Sequence, residues 1–245
     1  MKTFVILSTY NEKGNIGHLI EQIFFYCPNC EIVVADDDSP DGTWRVVEEM
    51  QKRYPRLHLL HRMKERGRGL AGIAGYQYAI EHGAEAVCEM DADFSHSPSS
   101  LPDFFRAIED WDVVSGSRFL PGGGDPDRSR FRRLITFLAN RYIRRVLRLK
   151  QSDCTSGYRC FRSEVLKNMD LRNMISTGPS IVQETLLRAS QMGYQISEIP
   201  IVLRNRAQGK TKLTLHRLIN VLIAVFRLRF VKSSVRRKTV SGNFV

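Results

Sequence analysis

Five short apolar runs, each separated from the next by a stretch of helical spacing, occupy the first 115 residues and leave little choice of fold. The runs are residues 3–7, 31–35, 57–60, 86–90 and 112–115. Between the first two, Ile16, Leu19, Ile20 and Ile23 mark one face of a helix over residues 15–26. Residues 42–54, 69–82 and 98–109 read as further helices. Continuous apolar strands need cover on both faces, and strands that alternate with helices pair in parallel. The pattern predicts an α/β, Rossmann-like, mostly parallel sheet flanked by helices. In such sheets ligands bind beyond the carboxyl ends of the strands.

The second half reads differently. Residues 119–128, with Pro121-Gly-Gly-Gly124, form a loop, and residues 131–149 a long basic amphipathic helix. Residues 153–162 give a turn and short strand, 179–191 a helix and 195–203 a strand, before a basic tail. With no internal repeat and no clean boundary, the expected organisation is one catalytic domain over residues 1–213. A basic amphipathic, membrane-proximal tail follows over residues 214–245.

The formal charge of +11 is unevenly spread: residues 128–150 hold nine Lys/Arg and residues 204–245 eleven, with no Asp or Glu in either tract. The rest of the chain is net acidic. Such asymmetry points to a polyanionic partner: nucleic acid, an anionic membrane surface or a phosphorylated substrate. Nucleic acid is disfavoured, because neither tract offers a base-stacking platform and the acidic strand ends would go unexplained. In residues 131–149, Leu134, Ile135, Leu138, Ile143, Val146 and Leu147 interleave with Arg132, Arg133, Arg141, Arg144, Arg145 and Arg148. That pattern suits a helix lying on anionic lipid, or equally one packed on the core. Residues 218–230 pose the same choice. No apolar run is long enough to span a bilayer, so attachment is expected to be peripheral, on the cytoplasmic side. Five cysteines without a secretory leader suggest a reducing compartment.

The chemistry-bearing residues cluster at strand ends. Met90-Asp91-Ala92-Asp93 follows an apolar strand, where two carboxylates can share one hard cation such as Mg²⁺ or Mn²⁺. Asp36-Asp37-Asp38-Ser-Pro-Asp41-Gly-Thr43 crowds four carboxylates into six positions, so a metal, a base-edge hydrogen bond or a helix N-terminus must compensate. Asp41 can serve by capping the next helix. Ser8-Thr-Tyr10-Asn-Glu12 ends the first strand, with Tyr10 able to stack on a nucleobase.

These three segments resemble the inverting glycosyltransferases with the GT-A fold, and more closely the dolichol- or polyprenol-phosphate mannose synthases. Arg66-Gly-Arg-Gly-Leu-Ala71, Ser115-Gly-Ser-Arg-Phe119 with Gly122-Gly-Gly124, and Cys154-Thr-Ser-Gly-Tyr-Arg159 are similar too, so the likeness runs over residues 3–213. It implies a nucleotide-sugar pocket of Ser8, Tyr10, Glu12, Asp36, Asp37, Asp38, Asp91, Ala92, Arg206 and Lys212. It implies Mg²⁺ or Mn²⁺ held at Asp91, Asp93 and Ser95, and an acceptor phosphate at Arg118, Arg132 and Ser156. Asp93, Arg118, Arg132, Arg206 and Lys212 would carry catalysis; Asp153, Gly157 and Arg159 fall within the same shared motif. GDP-mannose is the implied donor and a membrane-borne polyprenyl phosphate the acceptor. This chain departs from the pattern at Ser8, where proline is usual, and in lacking C-terminal transmembrane helices. His96, beside the metal motif, reads as a structural residue rather than a base. A same-fold enzyme using a UDP-sugar or another acceptor is the alternative. A nucleotidyltransferase is disfavoured by the absence of a glycine-rich first turn.

Overall fold

The computed structural model of the protein describes residues 1–205 and 215–230, those from 215 to 221 by backbone alone. Its strands are β1 (Thr3–Thr9), β2 (Glu31–Asp36), β3 (Leu57–His61), β4 (Ala86–Asp91), β5 (Val113–Ser117), β6 (Arg159–Arg162) and β7 (Ile196–Pro200). The helices are α1 (Lys13–Tyr26), α2 (Thr43–Gln51), α3 (Arg68–Glu81), α4 (Leu101–Ala107), α5 (Arg130–Leu147), α6 (Ser163–Asn168), α7 (Ile181–Gln191) and α8 (Leu215–Leu228). The sheet order is β3-β2-β1-β4-β6-β5-β7. Pairing is parallel except at β6, which runs antiparallel to both β4 and β5. The α/β expectation holds. The antiparallel insertion of β6 was not foreseen, because a four-residue strand carries no directional signal.

Side chains alternate across the sheet as the pleat requires. Val5, Leu7, Ile32, Val34 and Cys88 face α1, α2 and α4, joining Ile16, Leu19, Ile20, Ile23, Val47 and Phe104. Phe4, Ile6, Val33 and Val87 face the other way, onto Ile73, Tyr76 and Ala79 of α3 and onto α6 and α7. The closest approach is α3 on β1, where a Cβ at Gly75 would lie 2.4 Å from Cγ2 of Ile6.

Helix α5 packs on the core toward its carboxyl end and is exposed toward its amino end. Ile143 and Leu147 are buried with Leu186 and Leu187 of α7 and Val225 and Leu228 of α8. Toward the amino end, Phe131, Leu134, Phe137 and Leu138 are exposed. On α8, Ile223 and Phe226 are exposed as well. The remainder of the basic tail lies outside the described residues.

Gly75 gives a test of the α3–β1 contact. Because Ile6 sits on a central strand and cannot retreat, Gly75→Ala should lower stability by about 1–3 kcal/mol, read as a reduced urea midpoint with unchanged m-value.

Candidate active site

The strand register brings the polar ends together. Ser8 of β1 pairs with Asp91 of β4 on one side, and Thr9 with Asp36 of β2 on the other. Ser117 ends β5, and because β6 is antiparallel its amino end, preceded by Ser156 and Gly157, reaches the same rim.

The acidic turn after β2 is neutralised residue by residue. Asp36 is fully buried and accepts from Thr9 Oγ1 at 2.8 Å, Ser39 N at 2.8 Å and Ser39 Oγ at 2.6 Å. Its oxygens shape the turn rather than face a cleft. Asp37 is bonded by the Arg62 guanidinium and by Gly67 N at 2.7 Å. Asp38, held at φ 53°, takes His61 Nε2 at 3.0 Å and the Arg66 guanidinium. His61 in turn stacks on Trp44, with ring centroids 4.4 Å apart. Asp41 accepts from Thr43 N and Oγ1 and from Lys13 N, tying together the starts of α2 and α1. Burial would raise the Asp41 carboxyl, but those bonds hold it below its ordinary value. Tyr10 is exposed, and Glu12 accepts from Asn15 Nδ2 while its own N–H donates to Thr43 Oγ1.

The basic residues 62, 66 and 68, which neutralise this rim, were not assigned a role from the sequence. The signal was available: three arginines in seven residues follow β3, next to the strand whose end carries three aspartates. Glycines let this loop lie flat. A Cβ at Gly67 or Gly69 would meet the Thr177 carbonyl oxygen at 2.8 or 2.9 Å, and Gly67 has φ 145°.

At the end of β4, Asp91 is bonded by the Arg68 guanidinium, whose proton affinity it raises further. Asp93 is buried and accepts from Ser95 N at 3.0 Å, with Phe94 between them at φ 63°. Ala92 is buried beside them. Arg204 N donates to Ser95 O at 3.1 Å, anchoring the chain next to the motif two residues before Arg206. Arg206 and Lys212 themselves lie outside the described residues. His96 Nδ1 accepts from Asp91 N at 3.0 Å and its ring stacks on Tyr158; burial pushes the imidazole below its ordinary pKa. An imidazole so engaged is structural.

No cluster of three or more carboxylate, His or Cys side chains suited to a metal ion is found among the described residues. Two carboxylates with nearby hydroxyl and diphosphate oxygens are nonetheless what a hard divalent ion shared with a substrate requires. The oxygen donors Asp91, Asp93 and Ser95 fit such an ion.

The acceptor-side residues are placed less uniformly. The Arg118 side chain is largely covered and forked onto Asp153, Nε to Oδ2 at 2.7 Å and Nη2 to Oδ1 at 2.9 Å, with Nη2 also reaching Thr155 Oγ1. That leaves Nη1, 3.9 Å from Asp125, as the part of the fork not committed to Asp153. Any contact of Arg118 with an acceptor phosphate would therefore fall to Nη1, since its Nε/Nη2 edge is already occupied. Arg132 is exposed on the first turn of α5, and Ser156 is buried, its Oγ accepting from Tyr158 N. Arg159 donates to the carbonyls of Val182 and Cys154 and to Ser115 Oγ, so it fixes the fold rather than the substrate. Glu198 of β7, overlooked in the sequence, accepts from Ser152 N, Ser152 Oγ and Asp153 N and holds the loop carrying Asp153.

Burial alone would raise the Asp153 carboxyl, but its Arg118 and Thr155 bonds hold it below the ordinary carboxylate value. A lowered folded pKa stabilises the fold above the unfolded value of about 4 and ceases to do so as pH falls through the folded one. Asp153→Asn should therefore cost about 3–5 kcal/mol at pH 7, by removing the carboxylate charge that faces the buried Arg118 fork. The variant should also lose part of the wild type's decline in stability below about pH 4, which urea melts across pH will read.

Comparison with known proteins gives a consistent picture. Residues 4–170 match the model of "Glycosyl transferase family 2". A polyprenol monophosphomannose synthase of Mycolicibacterium smegmatis is 35% identical over 215 residues, covering 87% of this chain and 81% of that protein. An undecaprenyl-phosphate mannosyltransferase of Micrococcus luteus is 34% identical over 214 residues, covering 87% and 88%. Among solved structures, a mannosyltransferase of Pyrobaculum calidifontis in complex with GDP-Man and Mn²⁺ superposes with a TM-score of 0.58 at 18% identity. That match covers 93% of this chain and 69% of that one.

Proposed function

From the premise that this chain belongs to glycosyl transferase family 2, we propose that it moves mannose from GDP-mannose to a polyprenyl phosphate, inverting the anomeric carbon. That it is a glycosyltransferase follows from the family. The mannosyl donor and lipid acceptor are the activities named for its relatives, which align along most of its length.

One observation of this chain carries the lipid acceptor: an exposed apolar surface begins where the polar rim ends. Phe119 lies two residues past β5 and meets Phe137 of α5 edge-on at 6.4 Å. From there Phe131, Leu134 and Leu138 extend the surface outward, interspersed with Arg132, Arg133 and Arg141. A soluble sugar acceptor would have no use for it; a phosphate on an isoprenoid chain needs a charged end beside an apolar one. In this reading the chain sits peripherally on the cytoplasmic face of a membrane, with residues 214–245 as a membrane-proximal tail. No helix among the described residues is long and apolar enough to cross one.

The donor's base would stack at Tyr10, with Glu12, Asp37 and Asp38 at base and ribose, while Asp36 keeps their turn in shape. Mg²⁺ or Mn²⁺ bound at Asp91, Asp93 and Ser95 would supply positive charge to the leaving diphosphate. Arg206 and Lys212 would add cationic donors there. The acceptor needs no strong base, since a phosphate monoester's second pKa is about 6 and its oxygen is already a nucleophile near neutrality. That agrees with His96 being committed to Asp91 N. Arg132, exposed and carrying a planar fork, is the better placed of the two acceptor arginines.

Two measurements test this reading. Purified protein with Mn²⁺, polyprenyl phosphate and radiolabelled GDP-mannose should move label into organic solvent, and Asp93→Ala should abolish that transfer while keeping the wild-type circular dichroism. Transfer from UDP-glucose alone, or to water-soluble acceptors alone, would refute it. Replacing Phe131, Leu134, Phe137 and Leu138 together by Ser should weaken binding to anionic liposomes about tenfold or more, since each buried apolar side chain contributes roughly 1.5–3 kcal/mol. Unchanged binding would remove the lipid surface from this helix.

A further inference from the structure

We propose that Arg68 competes with the divalent ion for Asp91, and that Glu89 is the carboxylate onto which its charge moves when the ion binds. The proposal rests on the reading of Asp91 as a metal ligand.

Glu89 and Asp91 lie two residues apart on β4, and the Arg68 guanidinium at the start of α3 stands between them. Its Nη2 is hydrogen-bonded to Asp91 Oδ1 and lies 4.0 Å from Glu89 Oε1. Glu89 is buried; Oε2 accepts from the Tyr76 hydroxyl, but Oε1 has no hydrogen-bond partner although it is shut off from solvent. An unmet acceptor on a buried carboxylate is costly, so an accessible alternative partner should be favoured. Arg68 Nη2 is such a partner, within one small side-chain adjustment.

Two glycines keep side chains away from both ends of this move. A Cβ at Gly157 would stand 2.7 Å from Arg68 Nη2, and one at Gly72 would stand 3.3 Å from Glu89 Oε1. Both positions are glycine, so the passage between the two carboxylates is free of side chains on those sides. Arg68 is half-buried, which leaves it screened less than a surface residue. A guanidinium bonded to Asp91 and a divalent ion on the same carboxylate would repel strongly there. Moving the guanidinium to Glu89 relieves that repulsion and supplies the missing bond. Arg68 is thus a positioning residue: its place on Asp91 or on Glu89 sets how readily the ion enters.

The test is Mn²⁺ affinity of the full chain without nucleotide, followed by electron paramagnetic resonance of the free ion. Asp91→Asn should lose Mn²⁺ binding; if it does not, the metal reading itself fails. Arg68→Gln should bind Mn²⁺ about tenfold more tightly, with Arg68→Lys in between because an ammonium lacks the fork. Glu89→Gln should weaken binding about tenfold in the wild-type background and change it less than about twofold in the Arg68→Gln background. Equal or weaker Mn²⁺ binding by both Arg68 variants, with Asp91→Asn still inactive in binding, would overturn the competition. A Glu89→Gln effect of the same size in both backgrounds would overturn the transfer to Glu89.

Discussion

Carboxylates crowded along one edge of a parallel sheet repel one another, and the rim of this protein depends on the arginines that separate them. The register of β2, β1 and β4 sets the positions and gives the aspartates no freedom to spread. Arg62, Arg66 and Arg68 follow β3 in one short segment and meet Asp37, Asp38 and Asp91 in turn. Because that segment bonds both the turn after β2 and the end of β4, it couples Asp37 and Asp38 to Asp91. The glycines at 67 and 69 are part of the same device, since any side chain there would lift the loop off the carbonyls at 176 and 177. The loop below is itself held by the buried Glu184–Arg188 pair, whose carboxylate accepts from the N–H groups of Ile175 and Ser176. A cluster of mutually repelling acids is thus held along one edge by basic residues from a neighbouring loop.

Much of this was legible in the sequence. Apolar runs such as residues 31–35 cannot lie half in water, so the parallel sheet and the location of the rim followed directly. What the pattern could not give was the partner of each charge. Asp36, Asp37 and Asp38 look alike in a sequence, yet one is sealed into a turn, one is tied to Arg62 and a backbone N–H, and one is half open beneath His61 and Arg66. The partners of Asp37 and Asp38 lie 23 to 30 residues away in the chain, which no local signal records. Arg118 shows the same limit: an arginine following a strand end reads as a phosphate ligand, and pairing with Asp153 is visible only once β5 and the loop before β6 are side by side.

Helix α5 shows why periodicity alone left its role open. Its apolar residues follow one helical spacing throughout, but what covers them changes along its length. At the carboxyl end α7 and α8 bury Ile143 and Leu147; at the amino end nothing among the described residues covers Leu134 and Leu138. Helical spacing reports that a face is apolar and is silent about what meets it.

The buried Arg118–Asp153 pair stands between these two surfaces and gives them a fixed relation. It joins the end of β5 to the loop entering β6, with Glu198 of β7 bonding the same loop from behind. Phe119, next in the chain, is carried by that joint, and the Arg118 guanidinium lies 5.8 Å from its ring centroid. A buried pair of this kind contributes little net stability, since desolvation offsets most of the attraction. Its value here is geometric. It sets where the apolar surface starts relative to the acidic rim, and keeps those two places at a constant distance.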